Sequence, residues 1–325
     1  MVLERLTCDI VLDTNVILLC IIFLLILLLF FIDKTRFIKY SNTVLGKFFV
    51  LCFIISFSYV HIGIGITIVS IVIIYYKYYG YINTIDEIDY LDGIDCIYWI
   101  NLDRSIDRRK HMEEMFMDPV FSGKPIKRIS AEDGTSIVLR DKIMMKNKKN
   151  TNLEYACLVS HLNTIKIFSE TEYDIALIFE DDVTLEFKQF WKKSLKTIID
   201  DAPSDWEIIQ LCYITKQVLT YDYTLNNYKK NKYGDIASMA AYIIKNSSAK
   251  KFIHDTYDPE TEGYKLLDYH THEADHYIYK CLRTYTYKYP YFIYPTDNDS
   301  TLHPEDLNSH IKSKLKLIHM YESIG

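Results

Sequence analysis

The chain has 325 residues, of which 49% are hydrophobic, 10 are Gly and 7 are Pro, so a disordered, collagen-like or low-complexity protein is excluded. Its formal net charge of −6 argues against a nucleic-acid partner, because nonspecific nucleic-acid binding needs a positive surface that displaces phosphate counterions. The charge is unevenly distributed: residues 1–79 hold six basic and four acidic residues, whereas 80–325 hold 31 basic and 39 acidic residues.

Two long apolar runs in the N-terminal part predict a transmembrane hairpin. The first span covers about 11–32 and the second about 48–74. A membrane-crossing helix needs about 20 mostly apolar residues, which both runs supply. We therefore expect a membrane anchor over 1–79, with the lipid bilayer as a partner.

The loop between the two runs predicts their orientation. Residues 33–47 hold three Lys and one Arg, whereas Arg5 and Lys77 are the only basic residues close to the outer ends. Loops rich in Lys and Arg stay in the cytosol. This predicts a multi-pass membrane protein with two spans and a lumenal or extracytosolic catalytic domain.

An acidic connector, 80–95, leads to a C-terminal domain expected over 96–325. Helical patterns alternate there with short apolar strands, which are predicted at 96–102, 126–130, 175–179, 206–211, 240–244 and 291–294. This alternation indicates an α/β domain with a mostly parallel sheet. In such sheets ligands bind beyond the carboxyl ends of the strands, so polar residues directly after a buried strand are the first candidates for chemistry.

An acidic triplet, Glu180, Asp181 and Asp182, follows the strand at 175–179. Alternate residues of an extended chain point to the same side, so Glu180 and Asp182 can share one hard divalent cation while Asp181 points elsewhere. Oxygen ligands favour Mg²⁺ or Mn²⁺ over zinc. The alternative is a solvated acidic turn that leads into a helix at Phe187.

The first strand leads into Ile-Asn-Leu-Asp-Arg-Ser-Ile-Asp-Arg-Arg at 100–109. It delivers Asn101, Asp103 and Arg104 to the edge of the sheet, and Ser105 is the expected cap of a helix that carries Arg108. These side chains are candidates for ligand binding. A strand-to-helix cap with surface arginines is the structural alternative.

Five motifs together resemble glycosyltransferase family 25, which includes lipooligosaccharide sugar transferases and procollagen galactosyltransferases. They are the 100–109 segment, an "AxDG" element within 128–134, a "CxxSH" element within 154–161, an "LxEDDV" element at 177–183 and an "AYLIS"-like strand at 240–244. The motifs stand in the family's order, and the resemblance covers about 96–305. It implies a GT-A type fold that transfers a sugar from a nucleotide donor with inversion at the anomeric carbon.

The resemblance also implies roles for individual residues. Glu180 and Asp182 would be a divergent "DxD" element that holds Mn²⁺, or Mg²⁺, against the diphosphate of the donor, expected to be a UDP-hexose. The donor-binding residues that it implies are Asn101, Asp103, Arg104, Arg108, Asp133, Ser160, His161 and Asp181. For His161, a buried histidine with satisfied hydrogen bonds is the alternative.

Inverting transfer needs a general base for the acceptor hydroxyl. Asp275 is the predicted base, because Ala274-Asp275-His276 resembles the family's "VDH" element, and Asp268 and Glu273 are its rivals in the same polar stretch. The expected acceptor is a glycan, a lipid-linked saccharide or a protein hydroxyl.

Two other functions compete with sugar transfer. His272-Glu-Ala-Asp-His276 satisfies HExxH, the zinc metalloprotease signature in which two helical His bind zinc and Glu is the base. A charged Asp275 between the histidines counts against this function. A non-catalytic membrane scaffold derived from a glycosyltransferase is the other alternative, against which the intact acidic triplet and Asp275 argue.

Overall fold

The computed structural model describes residues 88–135, 150–214, 227–231, 236–267, 272–295 and 307–323, together with seven helical residues between 47 and 70. The chain divides into two units, Met1–Ile88 and Asp89–Gly325. The predicted borders at 79 and 95 stay predictions.

The predicted transmembrane hairpin is wrong, because the described part of the chain has no helix that is long and apolar enough to cross a membrane. The predicted span 11–32, and most of the span 48–74, lie outside the described residues. The longest described helix, Asn152–Ser169, carries charged Glu154 and Lys166 and packs into the core of the second unit. The two-span localisation, the lumenal domain and the bilayer partner depended on the hairpin and are corrected with it.

The second unit alternates strands with helices. Its described strands are β1 (Cys96–Asn101), β2 (Ile126–Ser130), β3 (Ile175–Glu180), β4 (Ile208–Gln210), β5 (Tyr228–Lys230), β6 (Ala241–Lys245), β7 (Tyr257–Asp258), β8 (Gly263–Tyr264) and β9 (Thr284–Tyr287). Its described α-helices are α1 (Ile106–Met115), α2 (Asn152–Ser169), α3 (Leu195–Asp201), α4 (Asn246–Thr256), α5 (Ala274–Cys281) and α6 (Leu307–Glu322). Short 3-10 helices cover Pro119–Phe121 and Glu186–Phe190.

Seven strands form one mixed, mostly parallel sheet in the order β2-β1-β3-β6-β4-β9-β5. β1 pairs parallel with β2 and β3, and β4 pairs parallel with β9, whereas β6 and β5 run antiparallel to their neighbours. The carboxyl ends of β1, β2 and β3 therefore meet at one edge of the sheet. Asn101, Ser130 and Glu180 lie at this edge, where β6 begins.

Helices cover both faces of this sheet. All six residues of β1 are buried, and its side chains alternate between two hydrophobic clusters: Trp99 packs into one and Tyr98 into the other. Residues of α1, α3 and α6 belong to the cluster of Trp99, and residues of α2, α4 and α5 belong to that of Tyr98. This burial fixes the strand ends, and with them the polar residues at the sheet edge.

Candidate active site

The acidic triplet lies at the carboxyl end of β3. The N–H of Glu180 donates to the carbonyl of Ala240 at 2.9 Å, which ties the triplet to the start of β6. In the described part of the chain, the buried Oδ1 of Asp182 has no hydrogen-bond partner. Because a buried carboxylate oxygen without a partner is costly, this atom fits a metal ligand.

Charge repulsion in the triplet supports the same interpretation. Burial and the nearby Glu180 raise the pKa of Asp182 to about 7, although Arg108 acts in the opposite direction. A divalent cation would offset both the burial and the repulsion. Glu180 and Asp182 therefore fit the oxygen-ligand site for Mn²⁺ or Mg²⁺ that the sequence predicts, and their assignment as ligands stays a prediction.

Asp181 is engaged by two side chains of the 100–109 segment. Asn101 Nδ2 donates to Asp181 Oδ2 at 2.6 Å, and Arg108 Nη1 donates to Asp181 Oδ1 at 2.8 Å. Burial opposes the charge of Arg108, but Asp182 and Asp181 raise its pKa on balance. Arg108 thus already neutralises part of the triplet, and its predicted phosphate contact would be made beside an existing ion pair.

Arg128 of β2, which sequence reasoning missed as a site residue, organises the end of β1. Its Nε donates to Asn101 Oδ1 at 3.0 Å, and its Nη2 donates to Asp103 Oδ1 at 2.6 Å. Ser130 Oγ donates to the other oxygen of Asp103 at 2.8 Å. The hydrogen bonds from Arg128 and Ser130 lower the pKa of Asp103. The sequence feature that could have identified Arg128 is its position as a charged residue within a strand, just before the "AxDG" element.

A second ion pair, at the exposed rim of the site, joins two residues that were predicted to bind the donor. Arg104 contacts Asp133, which also accepts a hydrogen bond from the N–H of Thr135 at 2.9 Å. The bonds from Thr135 and Arg104 lower the pKa of Asp133 to about 2. The 100–109 segment and the "AxDG" element therefore meet in space.

Helix α2 brings Ser160 and His161 to the site. Ser160 Oγ accepts from the N–H of Glu132 at 2.8 Å, which fastens the loop after β2 to the helix. The buried ring of His161 places Nε2 3.0 Å from Glu180 Oε1 and Nδ1 3.2 Å from the hydroxyl of Tyr242. His161 is therefore both a hydrogen-bonded helix histidine and a direct neighbour of the triplet.

Asp275 lies in the first turn of α5 and contacts the chain just before β6. Its Oδ2 accepts from the N–H of Ser238 at 2.9 Å, and Oδ1 accepts from the N–H of His276 at 2.8 Å. Ser238 has a φ of 95°, a conformation that is costly for a residue with a side chain. Burial acts to raise the pKa of Asp275, but the contacts with His276 and Ser238 lower it on balance. Asp275 is therefore ionised at neutral pH, as a general base must be.

Of the two alternative bases, Glu273 lies in the described part of the chain and Asp268 does not. Glu273 immediately precedes α5, and its Oε2 lies 2.7 Å from His276 Nδ1. Asp275 and Glu273 together raise the pKa of His276 to about 10, so this imidazole carries a positive charge at neutral pH. Asp268 lies outside the described residues.

The HExxH pattern does not form a helical pair of zinc ligands. Helix α5 begins at Ala274, so His272 precedes it while His276 lies within it. The ring nitrogens of His272 contact the hydroxyl of Tyr155 at 3.3 Å and the carbonyl of Leu267 at 2.9 Å. This geometry argues against the metalloprotease alternative.

Comparisons with known proteins agree with the motifs. The family model described as Glycosyltransferase family 25 (LPS biosynthesis protein) matches residues 94–267. Procollagen galactosyltransferase 1-A and 1-B of Xenopus laevis are 29% and 30% identical to the chain over 130 residues. Each of these matches covers 36% of the chain and 21% of the relative, so the chain spans about a fifth of the length of the curated relatives it matches. The matched family region contains the triplet and ends before Asp275.

Proposed function

The chain belongs to glycosyltransferase family 25, whose model matches more than half of it, and we propose that it transfers a hexose from a UDP-sugar to an acceptor hydroxyl. The proposed transfer inverts the anomeric carbon and depends on Mn²⁺ or Mg²⁺. The observation that carries the proposal is the buried Oδ1 of Asp182, which has no hydrogen-bond partner among the described residues. It lies in the "LxEDDV" motif, at the sheet edge where α/β proteins bind ligands.

Glu180 and Asp182 are the proposed metal ligands. When bound, the metal would neutralise the charge that develops on the leaving diphosphate. Both oxygens of Asp181 already accept hydrogen bonds, so its proposed role is to hold Arg108 and Asn101 in place. Arg108 lies 3.7 Å from Asp182 and adds a fixed positive charge beside the proposed diphosphate position.

The ends of β1 and β2 are the proposed binding site for the nucleoside or the sugar of the donor. Asp103 is 71% exposed, yet Arg128 and Ser130 hold its two oxygens in position. Such a carboxylate is ready to accept hydrogen bonds from the hydroxyl groups of a ribose or a hexose. Arg104 and Asp133 extend the same rim, and Ser160 fastens its loop.

Asp275 is the proposed general base. Its carboxylate would take the proton of the acceptor hydroxyl as that oxygen attacks the anomeric carbon. Two backbone N–H groups orient it, and the charged imidazole of His276 lies 3.3 Å away. The resemblance of Ala274-Asp275-His276 to the family's "VDH" element favours Asp275 over Glu273.

Because the two relatives are named galactosyltransferases, UDP-galactose is the first donor to test. The full chain would be incubated with UDP-galactose or UDP-glucose, with and without Mn²⁺, and with a glycan, a lipid-linked saccharide or a hydroxylated peptide. Donor hydrolysis and transfer would be measured for wild type, for Asp182→Asn and for Asp200→Asn, an exposed position on α3.

We expect metal-dependent turnover that falls at least about 100-fold in Asp182→Asn and is unchanged in Asp200→Asn. Turnover that needs no metal, or that Asp182→Asn leaves intact, contradicts the mechanism. A chain that binds neither the metal nor a UDP-sugar would instead favour a non-catalytic scaffold.

A further inference from the structure

A thiol, an imidazole and a carboxylate converge beside the acidic triplet. Cys157 and His161 lie four residues apart on α2 and therefore share one face of the helix. Glu180 Oε1 lies 3.0 Å from His161 Nε2 and 4.0 Å from Cys157 Sγ, and the three ligand atoms lie within 4.8 Å of one another. We propose that Cys157, His161 and Glu180 bind one Zn²⁺ or a divalent cation with similar ligand preference, such as Co²⁺.

The spacing of the three atoms suits tetrahedral coordination. Zinc bonds of about 2.0–2.3 Å place two ligand atoms roughly 3.3–3.6 Å apart at tetrahedral angles. The observed separations of 3.0 Å and 4.0 Å bracket this range, and the third lies within 4.8 Å, so side-chain shifts of about 1 Å would complete the site. Three protein ligands leave the fourth position open to water or to a small ligand.

Tyr242 supplies the outer contact that orients a metal-binding histidine. Its hydroxyl lies 3.2 Å from His161 Nδ1, so it can accept a hydrogen bond from Nδ1–H while the lone pair of Nε2 faces the cation. Binding of the cation at Nε2 requires the tautomer with the proton on Nδ1, and the hydroxyl of Tyr242 accepts the hydrogen bond from this N–H.

The thiol of Cys157 supplies the proton that binding releases. Burial, followed by Glu180 and Asp275, raises its pKa well above the ordinary value, so the cation-free side chain is a neutral thiol. Metal binding forms a bond to the thiolate and releases one proton to solvent.

This site shares only Glu180 with the oxygen-ligand site of the proposed transferase. A thiolate ligand favours Zn²⁺ and similar ions, whereas carboxylate ligands alone suit Mn²⁺ and Mg²⁺. The proposal does not require sugar transfer, and its test contains no nucleotide. Failure of one proposal therefore leaves the other standing.

The test uses the full chain after removal of metals with a chelator, and Co²⁺ as the probe. We expect one thiolate-bound Co²⁺ per chain, seen as an ultraviolet absorption band from thiolate-to-cobalt charge transfer, which Zn²⁺ abolishes on displacing this Co²⁺. Cys157→Ser should remove this band, and Tyr242→Phe should weaken Co²⁺ binding by roughly 10- to 100-fold. Cys281→Ser is the matched control, a half-buried cysteine of α5 outside the site, and should keep the band.

A wild-type chain without the charge-transfer band overturns the proposal, and so does a band that survives in Cys157→Ser. Far-ultraviolet circular dichroism checks that each variant keeps its fold. If Cys157→Ser unfolds the chain, Cys157→Ala and Glu180→Gln provide the same test, with loss of the band and loss of affinity as their expected results.

Discussion

Replacing Asp182 by Asn should stabilise the metal-free chain, and more so as the pH rises. Burial and Glu180 raise the pKa of Asp182 from the ordinary 3.8 to about 7 in the folded chain. Between these pH values the folded chain binds more protons at this group than the unfolded chain does, so the free energy of unfolding falls as the pH rises. Asn cannot ionise and escapes this penalty.

Linkage gives the size of the effect. A carboxyl whose pKa is 3.8 when unfolded and about 7 when folded opposes folding by about 2 kcal/mol at pH 5 and about 4 kcal/mol at pH 8. The stability gain of Asp182→Asn over wild type should thus grow by about 2 to 3 kcal/mol between these pH values. The side chain of Asp182 is 29% exposed, so solvent screening makes this an upper value.

Urea unfolding in the presence of a chelator, at pH 5 and at pH 8, measures this difference. All three tryptophans, Trp99, Trp191 and Trp206, lie in the second unit, so their fluorescence reports on the unit that contains Asp182. Asp200→Asn is the control and should stay within about 0.5 kcal/mol of wild type at both pH values. A stability gain of Asp182→Asn that is equal at pH 5 and pH 8 would refute the reasoning.

Three further variants test the rest of the site. Arg128→Ala leaves the buried Asn101 Oδ1 with only the 3.4 Å contact from Arg109 in the described part of the chain, and should lower the free energy of unfolding by about 1 to 3 kcal/mol in the same urea assay. Asp275→Asn should lower the transfer rate at least about 100-fold, and should also lower the melting temperature because it weakens the contacts with His276 and the N–H of Ser238. Because the pKa of Asp275 is lowered from 3.8, the wild-type rate should not fall through protonation of this group until the pH is below that value. Gly134→Ala would place a Cβ 2.8 Å from the Cα of Leu153, and should cost about 1 to 3 kcal/mol of stability in urea unfolding.

The first three strands of the sheet were predicted closely from the sequence, including 126–130, which matches Ile126–Ser130. The predicted 96–102 and 175–179 agree with Cys96–Asn101 and Ile175–Glu180 to within one residue at each end. Their continuous apolar runs end where polar residues reach the sheet edge. The acidic triplet and Asn101 were therefore identifiable as candidates from the ends of these apolar runs alone.

The tyrosine-rich strands could not be predicted in the same way. The segment 291–294 was expected to be a strand, but only Ile293 bridges to Thr184, and the strand Thr284–Tyr287 was missed. Tyr suits a strand or a packed loop, and the choice depends on distant hydrogen-bond partners. The hydroxyl of Tyr291, for example, donates to the carbonyl of Lys193.

Contacts within the site could not be predicted from local sequence patterns either. Helical spacing places Cys157 and His161 on one face of α2, but their meeting with Glu180 depends on how α2 packs against the sheet. Likewise, nothing near Arg108 in the sequence indicates a pair with Asp181, 73 residues away. Candidate residues could thus be identified from the sequence, whereas their contact partners could be identified only from the fold.

Binding of UDP to the full chain, with and without Mn²⁺, tests most directly the central claim that Glu180 and Asp182 hold the metal of a nucleotide-sugar donor. We predict that Mn²⁺ tightens UDP binding at least about 10-fold in wild type and in Asp200→Asn, and that Asp182→Asn abolishes this effect. Equal UDP affinity with and without Mn²⁺ in wild type, or an undiminished effect of Mn²⁺ in Asp182→Asn, would contradict the claim.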